Sequence, residues 1–180
     1  GCCVLHHDDS TDDEIRAAVV SALRGEYDAD EFAVDAPDGD YRTLASRFLG
    51  VKLATLDLHG WRHATPGVAA IDLRCAEIDT VRLGDAAVDS PIRLAGATVG
   101  SVDAADADLG GSLGTRFATI DGDLSLDRAT VGGRVDCRFT EIAGDASVRH
   151  ATADSRFDFG FSHVGGTVAA AGGSCGGRFT

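Results

Sequence analysis

The sequence predicts an all-β, parallel β-solenoid of about 22 residues per coil, preceded by a small N-terminal α-helical cap. The first observation is a repeat. Thr115-Arg116-Phe117-Ala118-Thr119-Ile120 returns 22 residues on as Cys137-Arg138-Phe139-Thr140-Glu141-Ile142, and after another 22 as Phe159-Gly160-Phe161-Ser162-His163-Val164. The second is pairing at i, i+2, the spacing that puts both members on one face of an extended segment. Leu124/Leu126, Ala129/Val131, Val135/Cys137 and Thr140/Ile142 are such pairs. The third is pacing: the second members stand at 126, 131, 137, 142, 148, 153, 159, 164, 170 and 175, in steps of five and six. Such steps are too short for helices and too regular for loops.

From the N-terminus, residues 1–10 form a Cys/His-rich tail, Gly1-Cys2-Cys3-Val4-Leu5-His6-His7-Asp8-Asp9-Ser10. Cys3-x-x-His6 is a spacing that two zinc ligands can share, and Cys2 or His7 could substitute. With no second ligand pair nearby, the tail reads either as half of a zinc site or as an unliganded end. A mature lipoprotein beginning near Cys2 is a third reading, which no visible signal peptide supports.

Residues 11–50 read as a helical cap and an acidic connector. Ser10-Thr11-Asp12-Asp13-Glu14 supplies an N-cap and acidic first turn, Ile15, Ala18, Val19, Ala22 and Leu23 follow at helical spacing, and Gly25 stops the run. This predicts a helix over about 12–24. Asp28 to Asp40 is the connector, and Tyr41, Leu44, Phe48 and Leu49 suggest a second short helix. Helices here would cover the first coil, whose open strand edges otherwise invite polymerisation.

Residues 51–180 are the solenoid. The rhythm begins at Val51/Leu53 and Leu56/Leu58 and runs, with small slips, through Ile71/Leu73, Ala76/Ile78, Val81/Leu83, Ala86/Val88, Ile92/Leu94 and Ala97/Val99 to the regular copies. About six coils are expected, some 28 Å in length at about 4.8 Å per coil. Four sides make one coil, so residues 22 apart stack. Phe117, Phe139 and Phe161 form one column. Arg134, Arg156 and Arg178 form another, with Asp136 and Asp158 two residues along the same exposed face, as a salt-bridged ladder; an anion-binding arginine strip is the alternative.

Ala107-Asp108-Leu109, with Ala97-Thr98-Val99, Ala118-Thr119-Ile120 and Ala129-Thr130-Val131, resembles the A-(D/N)-L-x-x unit of the pentapeptide-repeat family. The resemblance covers roughly residues 51–180 and implies a right-handed, four-sided β-helix with the small and apolar residues inward. Leu113, Leu124, Val135 and Phe157 depart from it, placing larger residues at the small position and implying a flattened coil. Some pentapeptide-repeat proteins of haloarchaea look similar at the N-terminus too, with a small Cys/His segment before helices and repeats. The resemblance implies architecture and leaves function open.

Composition narrows the function classes. The chain has 180 residues and a formal net charge of -13, with Lys52 its only lysine, and its isoelectric point is about 4.6. An acidic, lysine-poor surface suits a protein kept soluble in high salt, so a halophilic source is expected. Acidic mimicry of DNA would need a continuous carboxylate stripe, and Arg interrupts this one. No basic patch with interleaved aromatics supports nucleic-acid binding. Cys75, Cys137 and Cys175 look structural, and five cysteines without paired spacing suit a reducing cytoplasm. His59 and His63 around Trp61 read as packing or solvent-facing residues, a site between them being the alternative, and His150 and His163 fall on different sides. Gly110-Gly111 and Gly172-Gly173 sit at corners needing positive φ or tight turning, without the Lys-Ser/Thr of a phosphate loop. No nucleophile motif accompanies the abundant Ser, His and Asp, so no catalytic residue and no required cofactor is expected.

The function expected is a non-enzymatic scaffold or protein-interaction module, with self-association through the open edge around Val168, Ala170 and Cys175. A regulatory domain of a longer, channel-like membrane protein is the alternative, although no apolar run of membrane length is present; a cytoskeletal polymer is a weaker one. The lack of Met and the stop at Phe179-Thr180, one step into a repeat, read as truncation at both ends.

Overall fold

In segments this short, extended structure cannot stand alone, and each depends on the same segment one coil away. A computed structural model describes Thr11, Glu14, residues 49–62 and residues 70–180. The first coil contributes β1 (Lys52–Asp57) and β2 (Ile71–Asp72), and the second β3 (Glu77–Arg82), β4 (Ala87–Val88) and β5 (Ile92–Arg93). The third holds β6 (Thr98–Asp103), β7 (Asp108–Leu109) and β8 (Leu113–Gly114). The fourth holds β9 (Thr119–Ile120), β10 (Leu124–Ser125), β11 (Thr130–Val131) and β12 (Val135–Asp136). The fifth repeats these as β13 (Glu141–Ile142), β14 (Ala146–Ser147), β15 (Thr152–Ala153) and β16 (Phe157–Asp158). Then follow β17 (His163–Val164), β18 (Val168–Ala169) and β19 (Ser174–Cys175).

All pairings are parallel, and three sheets result. One has five strands in the order β2-β5-β8-β12-β16, a second five in the order β4-β7-β11-β15-β19. The third has nine: β1, β3 and β6 pair in series, and β6 then continues into both β9-β13-β17 and β10-β14-β18. The five-deep ladders make this a solenoid of about five coils rather than the expected six. The register confirms the period: Glu141 pairs with Thr119 and His163, and Val135 with Leu113 and Phe157.

The inward set is the one the i, i+2 pairs give. Leu126, Val131, Cys137 and Ile142 are all 0% exposed, and the apolar residues of the described coils join in a single core from Val51 to Phe157. Each fully buried Leu, Ile or Val contributes about 1.5–3 kcal/mol relative to exposure. Thr115 and Thr140 are also buried. The Thr140 hydroxyl donates to the Thr115 carbonyl at 2.8 Å and lies 3.1 Å from the Thr115 hydroxyl, so both polar groups are satisfied.

Alternate corners are β-turns in which the first carbonyl accepts the N–H three residues on, as from Ala97 to Leu94 at 3.0 Å and Ala118 to Thr115 at 2.8 Å. The third residue of each turn has positive φ. Gly96 (φ 68) and Gly172 (φ 70) take it easily, but Asp106, Phe117, Arg128, Phe139, His150 and Phe161 hold the same conformation at φ 56–60. A left-handed L-residue costs roughly 1–2 kcal/mol, which the ladders on both sides over-determine. Of the glycine pairs expected to supply positive φ or tight turning, Gly172 has positive φ, and Gly110 and Gly111 do not. Close approach is the reason for glycine there: a Cβ on Gly111 would lie 2.5 Å from the backbone N of Pro91 in the neighbouring coil.

At the N-terminus, the Thr11 N–H and hydroxyl donate to the Glu14 carboxylate at 2.9 and 3.0 Å, and the Glu14 N–H donates to the Thr11 hydroxyl at 3.4 Å. This is the reciprocal box of a helix start. The expected helix over 12–24, the acidic connector and the capping of the first coil otherwise fall outside the described residues. So do the zinc candidates Cys2, Cys3, His6 and His7, and His63. No helix of the described residues is long and apolar enough to cross a membrane.

Candidate functional site

The face carrying β2, β5, β8, β12 and β16 is the chemically richest. Its second strand residues stack outward as Asp72, Arg93, Gly114, Asp136 and Asp158. Two residues further along stand Arg74, Ala95, Arg116, Arg138 and Gly160. Where Asp is followed by Arg at i+2, the two clamp. Arg74 donates to Asp72 through Nε at 2.8 Å and Nη2 at 2.7 Å, and Arg138 to Asp136 through Nε and Nη2, both at 2.7 Å. Arg134 approaches Asp136 at 3.5 Å from the other side, Arg156 lies 3.5 Å from Asp158, and Arg138 lies 3.6 Å from Asp158.

The expected salt-bridged ladder therefore exists at Arg134 and Arg156, while no such ion pair is seen for Arg178 among the described residues, and its setting needs a correction. Asp136 and Asp158 are buried, 4% and 8% exposed, rather than on an open face. Over Asp136 the bidentate Arg138 guanidinium takes the place of water, whereas Asp158 accepts from the Gly160 N–H and the Thr180 hydroxyl with Arg138 and Arg156 alongside. The hydrogen bond from the Arg138 guanidinium holds the Asp136 carboxyl below its ordinary range, against the opposing effect of burial. These aspartates also cap turns: the N–H of Gly160 donates to Asp158 Oδ1 at 3.1 Å, as Ala105 does to Asp103 at 3.1 Å and His59 to Asp57 at 3.0 Å. Asp57, Asp72, Asp103, Asp136 and Asp158 thus serve Asx-type turns at strand ends.

The clamp breaks in the middle of the face. Gly114 occupies the Asp position, a Cβ there would meet nothing within 4 Å, and Arg116 consequently has no carboxylate partner among the described residues. Its guanidinium instead lies 4.7 Å from the ring centre of Phe117 and 5.6 Å from that of Phe139. Arg93, also at an Asp position, makes no ion pair among the described residues. Around this gap runs a groove lined by Arg74, Arg93, Arg116 and Arg134, with Ser112 and Asp136. Of the strip Arg134, Arg156 and Arg178, only Arg134 lines it. The signal was nonetheless in the repeat: Gly114-Thr115-Arg116 set against Asp136-Cys137-Arg138 shows an arginine without its carboxylate.

The aromatic column forms as expected. The rings of Phe117 and Phe139 stack with centroids 5.0 Å apart, and those of Phe139 and Phe161 5.2 Å apart. It is exposed, Phe161 most of all at 85%. On the next such corner column, Arg128 grips Asp106 one coil away with two hydrogen bonds of 2.6 Å.

Trp61 is buried and joins the core rather than flanking a site. His150 occupies a left-handed corner and His163 lies on β17, so the structure does not bring them together. Cys137 is buried, its thiol pushed up to about 12 by burial, Cys175 is half-buried, and Cys75 is exposed on a left-handed corner. No group of three or more His, Cys, Asp or Glu side chains among the described residues is arranged to hold a metal.

A scan against protein-family models and searches of curated proteins and of solved structures found no match to this chain.

Proposed function

We propose that this chain is a non-enzymatic scaffold, a protein-interaction module that associates through the strand edges of its last coil. The observation that carries this is an inward position left uncovered. Val168 stacks in register on Ala146 and, through it, on Leu124, both 0% exposed, yet Val168 is itself 52% exposed. β17, β18 and β19 end their sheets, so their outer backbone groups face away from any further strand of the described residues. Apolar residues beside free edge strands are a template for pairing with another chain.

The two ends are unequal. In the first coil Val51, Leu53 and Leu56 are 0%, 3% and 1% exposed, so among the described residues that coil offers no exposed inward side chain to match Val168. An isologous pair, last coil to last coil, closes on itself, and it is favoured over a cytoskeletal polymer. Kinship with the pentapeptide repeats, and the right-handed coil it implies, rest on the Ala107-Asp108-Leu109 unit and the recurrent turns. A halophilic setting rests on the charge of -13 and the single lysine, and a cytoplasmic one on the unpaired cysteines. Sedimentation of the chain over a range of concentrations in molar KCl tests the proposal. A dimer that Val168→Asp converts to monomer is expected. A wild-type monomer at the highest concentration, or a dimer indifferent to Val168→Asp, overturns it.

A further inference from the structure

We infer that the groove centred on Gly114 is a binding site for a compact multivalent anion of the polyphosphate type. Four arginines line it, Arg74, Arg93, Arg116 and Arg134, and they come from the turns and strands of four successive coils, β2, β5, β8 and β12. At about 4.8 Å per coil the row extends roughly 14 Å. Two carboxylates serve them: Asp72 clamps Arg74, and Asp136, already held by Arg138, lies 3.5 Å from Arg134, which leaves Arg93 and Arg116 without one among the described residues.

The groove is a local reversal of the chain's character. On a molecule of net charge -13, a cluster of exposed guanidinium groups without enough carboxylates of its own leaves a positive field confined to one concave place. The gap arises because one side chain is missing. The column reads Asp, Arg, Gly, Asp, Asp at 72, 93, 114, 136 and 158. With Asp at 114, Arg116 would be clamped as Arg74 and Arg138 are. With Gly, its guanidinium stays exposed above the Phe117 and Phe139 rings, and stacking fixes its plane while leaving its N–H donors directed elsewhere. Arg93 has no carboxylate partner among the described residues to displace. The Ser112 hydroxyl accepts the Arg134 N–H at 3.1 Å and so retains its own O–H for donation.

Bidentate donors from several arginines match the oxygens of linked phosphoryl groups. A long polyanion is disfavoured, because beyond the groove it would run onto acidic surface. The site is independent of the last-coil edge, and its occupation neither needs nor prevents association there.

Calorimetric titration with sodium tripolyphosphate, in the lowest KCl concentration that retains the β-sheet circular dichroism, tests the inference. Saturable binding at one site per chain is expected, weakening as KCl rises. Citrate in a parallel titration tells carboxylate from phosphate recognition, with weaker binding expected. Gly114→Asp, which has room for its side chain, and Arg93→Gln should each weaken tripolyphosphate binding at least tenfold without lowering the unfolding midpoint. Arg149→Gln, on another face, should change affinity less than twofold. No saturable heat with the folded wild type, unchanged affinity in Gly114→Asp and Arg93→Gln, or an equal loss in Arg149→Gln would each overturn the site. Tighter binding of citrate would overturn the phosphate assignment.

Discussion

Between Val99 and Val102 two residues separate one inward side chain from the next, and β6 runs unbroken from Thr98 to Asp103. One coil later three residues, Asp121, Gly122 and Asp123, lie between Ile120 and Leu124, and the same path breaks into β9 and β10. The upstream coils behave like the first case, with β1 and β3 also six residues long, and the downstream coils like the second, with strands of two. From β3 to β9 paired residues are 21 apart, Glu77 with Thr98 and Thr98 with Thr119, while the less regular first coil sets Lys52 25 residues from its partner Glu77. Downstream they are 22 apart, Thr119 with Glu141 and Glu141 with His163. β-propensity does not explain this. The number of residues allowed between two inward positions decides whether the chain turns a corner or spans it, and the small slips in the sequence rhythm are that choice.

The largest effects come from moving the extra residue. Deleting Asp121 leaves Ile120-Gly122-Asp123-Leu124, the spacing of Val99-Gly100-Ser101-Val102, so the chain is expected to unfold cooperatively with a continuous strand replacing β9 and β10. Deleting Thr130 instead places Ala129 beside Val131 and turns one of them outward. Each apolar side chain turned to solvent forfeits about 1.5–3 kcal/mol, and the coils beyond are expected to lose protection in hydrogen exchange. Equal tolerance of the two deletions would break the comparison.

Next is close approach. A Cβ on Gly100 would lie 2.2 Å from the Asp79 carbonyl oxygen in the straight-through path, so Gly100→Ala should cost about 1–3 kcal/mol in denaturant unfolding. Gly114→Ala, with nothing within 4 Å, should stay within about 0.5 kcal/mol.

The downstream coils also carry titratable groups where the upstream coil has Gly114 and Thr115. Asp136 is held below the ordinary carboxylate range by its Arg138 hydrogen bond. Its stabilisation is therefore present above that range and is lost as pH falls through the lowered value. Cys137 is pushed up to about 12 by burial, so its contribution is complete below the ordinary thiol value and lost as pH rises toward about 12. Unfolding midpoints followed with pH should decline at both ends. Asp136→Asn should flatten the acid limb and Cys137→Ala the alkaline one.

The smallest effect is expected at the corner where Gly96 upstream corresponds to Phe139 downstream. Phe139→Gly removes two ring stacks worth about 0.5–1.5 kcal/mol each but relieves a left-handed Phe costing about 1–2 kcal/mol. The net change in unfolding free energy should be at most about 2 kcal/mol. A loss above 3 kcal/mol would mean that the column carries more of the downstream stability than stacking explains.

Much of the fold was legible. Leu126, Val131, Cys137 and Ile142 face inward, and the three Phe rings stack, because alternation along a strand is local and a 22-residue repeat fixes what lies above what. The burial of Asp136 was not legible, since an outward strand position reads as exposed until a guanidinium from its own turn folds over it. Nor was the corner conformation: glycine was the natural residue to expect at positive φ, and Phe, Arg and His take it because ladders on both sides leave no other. The groove lay between these cases. Its break in the Asp-x-Arg pattern stands in the letters, while the gathering of Arg74, Arg93, Arg116 and Arg134 needs four coils in register.

By itself, the sequence determined the period, the inward residues and the stacking of like side chains. These depend only on spacing along the chain, and a repeated spacing imposes one register. The tertiary structure decided which corners are spanned, which aspartates are covered and which arginines stand without a carboxylate. Each of those depends on what the neighbouring coil, 21 or 22 residues away, presents at the point of contact, and a missing side chain at Gly114 acquires meaning only against the rows above and below it.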